Sequence, residues 1–115
     1  MIKILIGRND ERFTLRCHGH ACYAPAGQDI VCASVTVLCY TLIENLPPDK
    51  WSGRMDEGDI YISCECGPQS KERRAFEVIV KGLKMVASGY PANVMLLENV
   101  LSTKQQVEKI ARAWK

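Results

Sequence analysis

The stretch Asp29-Ile30-Val31-Cys32-Ala33-Ser34-Val35-Thr36-Val37-Leu38-Cys39-Tyr40-Thr41-Leu42-Ile43-Glu44-Asn45-Leu46-Pro47-Pro48 decides the fold. β-branched residues crowd it (Val31, Val35, Thr36, Val37, Thr41 and Ile43), so propensity alone allows a buried strand. Spacing and punctuation favour a helix. Val31, Val35, Leu38, Leu42 and Leu46 recur at helical intervals over a length that strands rarely reach. Asp29 is a preferred N-cap residue, and Pro47-Pro48 stops the pattern. Cys32 then falls in the first turn.

Alternation takes over on both sides of this helix. Ile2, Ile4 and Ile6 share one face of a run that ends at the turn Gly7-Arg8-Asn9-Asp10. Phe13, Leu15 and Cys17 alternate with Thr14, Arg16 and His18, giving a hairpin with one apolar face that ends at Gly19. The segment 20–27 is loop by composition. Downstream, 51–55 reads as a weak strand and Asp56-Glu57-Gly58-Asp59 as a turn. Ile60, Ile62, Cys64 and Cys66 then alternate with Tyr61, Ser63 and Glu65. A second helix fits 70–88, with Phe76, Ile79, Val80, Leu83 and Val86 as its buried stripe and Gly89 and Pro91 ending it. One more short strand fits 93–97. The tail predicts a helical extension over 99–115, from the capping box Ser102-Thr103-Lys104-Gln105 and an apolar side of Val107, Ile110, Ala111 and Trp114. The order ββ-α-ββ-α predicts an α+β fold: two layers, a mainly antiparallel sheet, and helices packed on one face. Residues 1–115 read as a single domain.

Composition narrows the function. A chain of 115 residues with 47% hydrophobic and 24% charged residues is ordinary globular material. Lysine and arginine number 15 against 13 acids, and a net charge of +2 implies no direct nucleic-acid partner. The longest apolar stretch, 30–43, is too short and too polar for a membrane span. The N-terminus lacks the core and cleavage site of a signal peptide. A cytoplasmic, reducing location is expected, in which the six cysteines stay free, ligating or catalytic.

One segment carries chemistry: His18-Gly19-His20-Ala21, then Gly27-Gln28-Asp29-Ile30-Val31-Cys32-Ala33. It puts a histidine in a loop leaving a strand and a cysteine at a helix N-terminus. Unpaired N–H groups and the helix dipole favour a thiolate there. A nearby histidine can take the thiol proton, and backbone amides at the helix start can hold an oxyanion. The bland alternatives are a Cys32 that serves as a small core residue and a His20 that is merely solvated.

The blocks Gly19-His20-Ala21 and Gly27-Gln28-Asp29-Ile30-Val31-Cys32-Ala33-Ser34-Val35-Thr36 resemble the signature of the ribosomal-processing cysteine protease (Prp) family, a GHA element followed by G-x-D-I-V-C-A-A-V-S. The likeness extends more loosely to Leu83-Lys84-Met85 and Tyr90-Pro91. It implies a small cytoplasmic homodimeric bacterial cysteine endopeptidase that needs no cofactor or metal. Such an enzyme removes the N-terminal extension of a large-subunit ribosomal protein, cutting after an aromatic residue. Carried over by position, Cys32 is the nucleophile and His20 the general base. Gly19 matches the glycine that lets the histidine loop move, and Asp29 either caps the helix, orients His20, or does both. Ser34 and Thr36 depart conservatively from the family pattern, and the tail beyond about Glu98 runs past its usual end.

Two other readings compete. Cys17, His18, His20, Cys22, Cys64 and Cys66 supply soft ligands for zinc, although paired C-x2–4-C knuckles are missing; the alternative is that Cys64 and Cys66 pack into the sheet. In a thiol-rich redox switch, Cys22 is a better partner for Cys32 than Cys39, which lies two helical turns away. His18 is expected to face solvent or to assist substrate binding.

Overall fold

The structure, a computed structural model, describes residues 1–25 and 27–98. Its elements are β1 (Ile2–Arg8), β2 (Arg12–His18), α1 (Ile30–Glu44), β3 (Trp51–Asp56), β4 (Asp59–Glu65), α2 (Lys71–Gly89) and β5 (Val94–Glu98). The predicted helical extension and its capping box lie outside the described residues.

The strands form one five-stranded sheet in the order β3-β4-β2-β1-β5. Hairpins make β1–β2 and β3–β4 antiparallel, and β2–β4 is antiparallel as well. The short final strand runs parallel to β1, a pairing that no tight hairpin allows. The intervening α2 carries the chain across the sheet face and delivers β5 beside β1. The architecture is therefore α+β, as predicted, and its order ββ-α-ββ-α-β adds the short last strand to the predicted ββ-α-ββ-α.

The apolar alternation builds the core. Ile2, Ile4 and Ile6 of β1, Phe13, Leu15 and Cys17 of β2, and Ile60, Ile62 and Cys64 of β4 are buried with Val31, Val35, Cys39 and Leu42 of α1 and Phe76, Ile79, Val80 and Leu83 of α2. Both helices thus cover the same face. Phe13 stacks on Phe76 with ring centroids 4.1 Å apart, locking β2 to α2. Arg73, buried in the first turn of α2, donates to the carbonyls of Asn9, Arg12 and Cys66 and so ties the β1–β2 turn to the end of β4. The other sheet face mixes apolar and polar residues and is also buried, at Leu5, Thr14, Arg16, Tyr61 and Ser63. There the Arg16 guanidinium is neutralised by Asp59 at 2.7 Å.

Helix ends follow side-chain chemistry. Asp29 caps α1, and Ser70 caps α2 by accepting from the Arg73 amide. α1 gives way at Asn45, short of Leu46, because the residue preceding a proline is pushed out of helical geometry. α2 runs one residue past Ser88 to Gly89, with Tyr90 as its cap. The site lies where the loop leaving β2, the start of α1 and the β3–β4 turn converge.

Candidate active site

The local geometry begins with Asp29. Its Oδ1 accepts from the amides of Val31 at 3.0 Å and Cys32 at 2.9 Å, while Oδ2 accepts from Tyr23 at 3.0 Å and Ala24 at 3.4 Å. One carboxylate therefore starts the helix and ties down the preceding loop. These amides, that of Cys32 foremost, hold its carboxyl below the usual carboxylate range. All four of these bonds go to backbone, so the geometry gives Asp29 the capping role; none reaches His20.

Cys32 sits half-buried one turn into α1, and its Sγ accepts the Ala21 amide at 3.3 Å. Ala21 is itself buried, and its carbonyl accepts from Asn93 Nδ2 at 2.9 Å. Between Ala21 and the helix the backbone turns sharply, with Cys22 at φ 56°, a left-handed conformation that is strained for a residue with a side chain.

His20 approaches from the other side. Gly19 leaves β2 with φ 101°, and its amide donates to the Gly58 carbonyl at 2.9 Å. A β-carbon at Gly19 would overlap the Met1 carbonyl, so close packing demands glycine there. The exposed imidazole of His20 then lies against the turn between β3 and β4, where a β-carbon on Gly58 would stand 2.7 Å from Nε2. His18 parts company with His20 at this bend. It stays in the sheet register, half-buried, with Nδ1 3.8 Å from Asp59 Oδ1.

His20 and Cys32 line one cleft of about 820 Å³. Along α1 its wall is apolar, with Ile30, Val37 and Tyr40 each around half exposed or more. Met55 faces them, and Asp56 and Glu57 stand at the turn. A volume of this size accepts several residues of an extended peptide. Among the described residues no hydrogen bond joins His20 to Cys32; the sulfur is engaged by Ala21. The amides of Val31 and Cys32, expected to serve an oxyanion, are already taken by Asp29. The amide aimed at the sulfur is that of Ala21.

The four buried thiols are structural. Cys64 and Cys66 are buried in the core cluster, and burial pushes the Cys64 thiol up to about 12. Cys17 and Cys39 face each other at 3.8 Å between β2 and α1, a pairing the sequence did not signal. The hydrogen bond between the Cys17 and Cys39 thiols, together with burial, raises the Cys17 thiol well above its ordinary value. Among the described residues no group of three or more His, Cys, Asp and Glu side chains is placed to hold a metal ion.

A thiol and an imidazole bordering one peptide-sized cleft, with a backbone amide trained on the sulfur, equip a protein for cysteine-dependent acyl transfer. The family model described as "Cysteine protease Prp" matches residues 1–95, and the chain belongs to this family of ribosomal-processing cysteine proteases. The ribosomal processing cysteine protease Prp of Mycoplasma genitalium is 32% identical over 99 residues, covering 85% of this chain and 96% of that protein. The fold matches crystal structures of the essential ribosomal processing protease Prp from S. aureus. One, in complex with a covalently linked product peptide, has a TM-score of 0.72 at 23% identity, covering 85% of this chain and 99% of that one. Another, in complex with a substrate peptide, has a TM-score of 0.69 at 21% identity over the same shares. Sequence reasoning singles out His20 and Cys32 but passes over Gly58, read only as a turn residue, and Asn93, read only as the start of a strand. Their roles depend on contacts between distant elements that no local pattern displays.

Proposed function

We propose that this chain is a cysteine endopeptidase that removes the N-terminal extension of a large-subunit ribosomal protein, with Cys32 as nucleophile and His20 as general base. The observation that carries the reading is the convergence of both side chains on one apolar-walled cleft at the capped N-terminus of α1. Family membership gives the reaction class, and the ribosomal processing role of the Mycoplasma relative supports the ribosomal substrate.

In the reaction His20 takes the proton from Cys32 Sγ, and the thiolate attacks the scissile carbonyl carbon. The tetrahedral intermediate collapses to a thioester as His20 returns the proton to the departing amine. Water, deprotonated by the same imidazole, then releases the acid and restores the thiol. The Ala21 amide, already within reach of the sulfur, is placed to donate to the oxyanion that forms beside it. His20 leaves its seat against Gly58 to meet the thiol, a rearrangement suited to a loop hinged at Gly19 and Gly27, both at positive φ. The exposed Val37 and Tyr40 suit an apolar or aromatic side chain next to the cut bond. The same reading makes the enzyme a cytoplasmic homodimer of one domain with a C-terminal extension.

The test is cleavage of a peptide spanning the extension junction, set beside the same peptide with its aromatic residue changed to alanine. Cleavage of the first and not the second is expected. Equal cleavage of both would reject the aromatic preference, and cleavage of neither would reject the substrate.

A further inference from the structure

We propose that Asn93, more than 60 residues from the nucleophile in sequence, is a positioning residue for catalysis; this rests on the protease reading of Cys32 and His20. Asn93 lies in the connection between α2 and β5. Its backbone is fixed on both sides: its N–H donates to the Tyr90 carbonyl at 2.9 Å, and its carbonyl accepts from the Ile2 amide at 2.9 Å. The side chain therefore projects from a rigid base, and its Nδ2 donates to the Ala21 carbonyl. Ala21 is the residue whose N–H meets Cys32 Sγ.

The two bonds act on the two peptide planes flanking one residue. Holding the Ala21 carbonyl sets the plane between Ala21 and Cys22, where the chain enters the left-handed conformation at Cys22. Such a conformation persists only where neighbours over-determine it. Without Asn93 the peptide is free to rotate toward a relaxed geometry, and the Ala21 amide turns away from the sulfur. A second contact from the same connection supports the assignment: the rings of Tyr90 and Tyr23 meet edge-on, with centroids 5.2 Å apart, bracing the loop one residue beyond Cys22. Asn93 itself does not line the cleft, so it acts through Ala21 and touches no substrate.

The test uses the full chain with Asn93→Asp and Asn93→Ala. Asp keeps the size and the backbone bonds but replaces the donor with an oxygen set against the Ala21 carbonyl. Three quantities are read: kcat and KM on the junction peptide, the rate at which iodoacetamide modifies Cys32 at pH 7 followed by peptide mass spectrometry, and Tm. Positioning predicts a kcat lower by about tenfold or more, a KM changed by less than about twofold, and slower alkylation at Cys32 in both variants. Folded variants with unchanged kcat and unchanged alkylation would overturn it. So would a loss of Tm alone, and Asn93→Asp, as the near-isosteric change, decides between these outcomes if Asn93→Ala does not fold. If wild-type protein is alkylated at Cys32 yet cuts no ribosomal peptide, the substrate reading fails, and the alkylation rates still decide the role of Asn93.

Discussion

The imidazole of His20 rests against the α-carbon of Gly58, leaving no room for a side chain: a β-carbon there would stand 2.7 Å from Nε2. The β3–β4 turn, distant from β2 in sequence, is thus the seat of the proposed base. Gly58 also has φ 72°, which costs a residue with a β-carbon about 1–2 kcal/mol. Gly58→Ala is expected to lower Tm modestly but to reduce kcat/KM by about tenfold or more, because a methyl group on this wall of the cleft crowds the space the ring crosses to reach the thiol. Iodoacetamide should still modify Cys32 at close to the wild-type rate. Activity equal to wild type would show that this seat is irrelevant.

Asp29 makes stability sensitive to acid. Its carboxyl is held below the ordinary range by the amides it accepts, Cys32 first. Its stabilising effect is therefore complete above the unfolded value of about 3.9 and is lost as pH falls through the lower folded value. Asn at this position caps the helix but cannot accept from Tyr23 and Ala24 with its amide nitrogen. Urea midpoints measured from pH 6 downward should fall with acid in wild type and show a shallower acid slope, from a lower plateau, in Asp29→Asn.

The thiols should divide into two groups. Cys22 is exposed and Cys32 partly exposed, whereas Cys17, Cys39, Cys64 and Cys66 are buried. Titration with a disulfide reagent should find the first two reactive in native protein and all six only after denaturation. Fast reaction of four or more in the native state would contradict the burial of the other four.

Arg73 secures the far end of the fold. Replacing it with methionine removes the guanidinium from the carbonyls of Asn9, Arg12 and Cys66, of which the buried Cys66 bond is the most costly to lose while Arg12 keeps the Asn9 amide. The expected cost is about 3 kcal/mol or more in chemical denaturation, with kcat per folded molecule unchanged because the site lies elsewhere. A loss below about 1 kcal/mol would mean that water replaces the guanidinium without penalty.

How much of this was legible in the sequence depends on the range of the interaction. Strand alternation at Ile2-Ile4-Ile6 and Phe13-Leu15-Cys17, the helical spacing behind Asp29 and the stop at Pro47 are local signals, and each marks its element to within a residue or two. The blocks around His20 and Cys32 pointed to the chemistry. The parallel pairing of β5 was not legible, because it depends on where α2 delivers the chain. Neither were Gly58, Asn93 and the Cys17–Cys39 contact, since each acquires its meaning only when segments far apart in the chain meet. Asp29 was legible as a cap, but its second pair of hydrogen bonds, to Tyr23 and Ala24, required the folded loop.

Whether Cys32 is the nucleophile of a ribosomal-protein protease is decided most sharply by one comparison: cleavage of the precursor of a large-subunit ribosomal protein by wild-type chain, Cys32→Ala and Cys32→Ser side by side, under reducing conditions. One cut at the extension junction by wild type is expected and none by either variant, with both variants folded as judged by Tm. A cut that survives in Cys32→Ala would refute the assignment, because among the described residues no other thiol lies in the first turn of α1 to take the role.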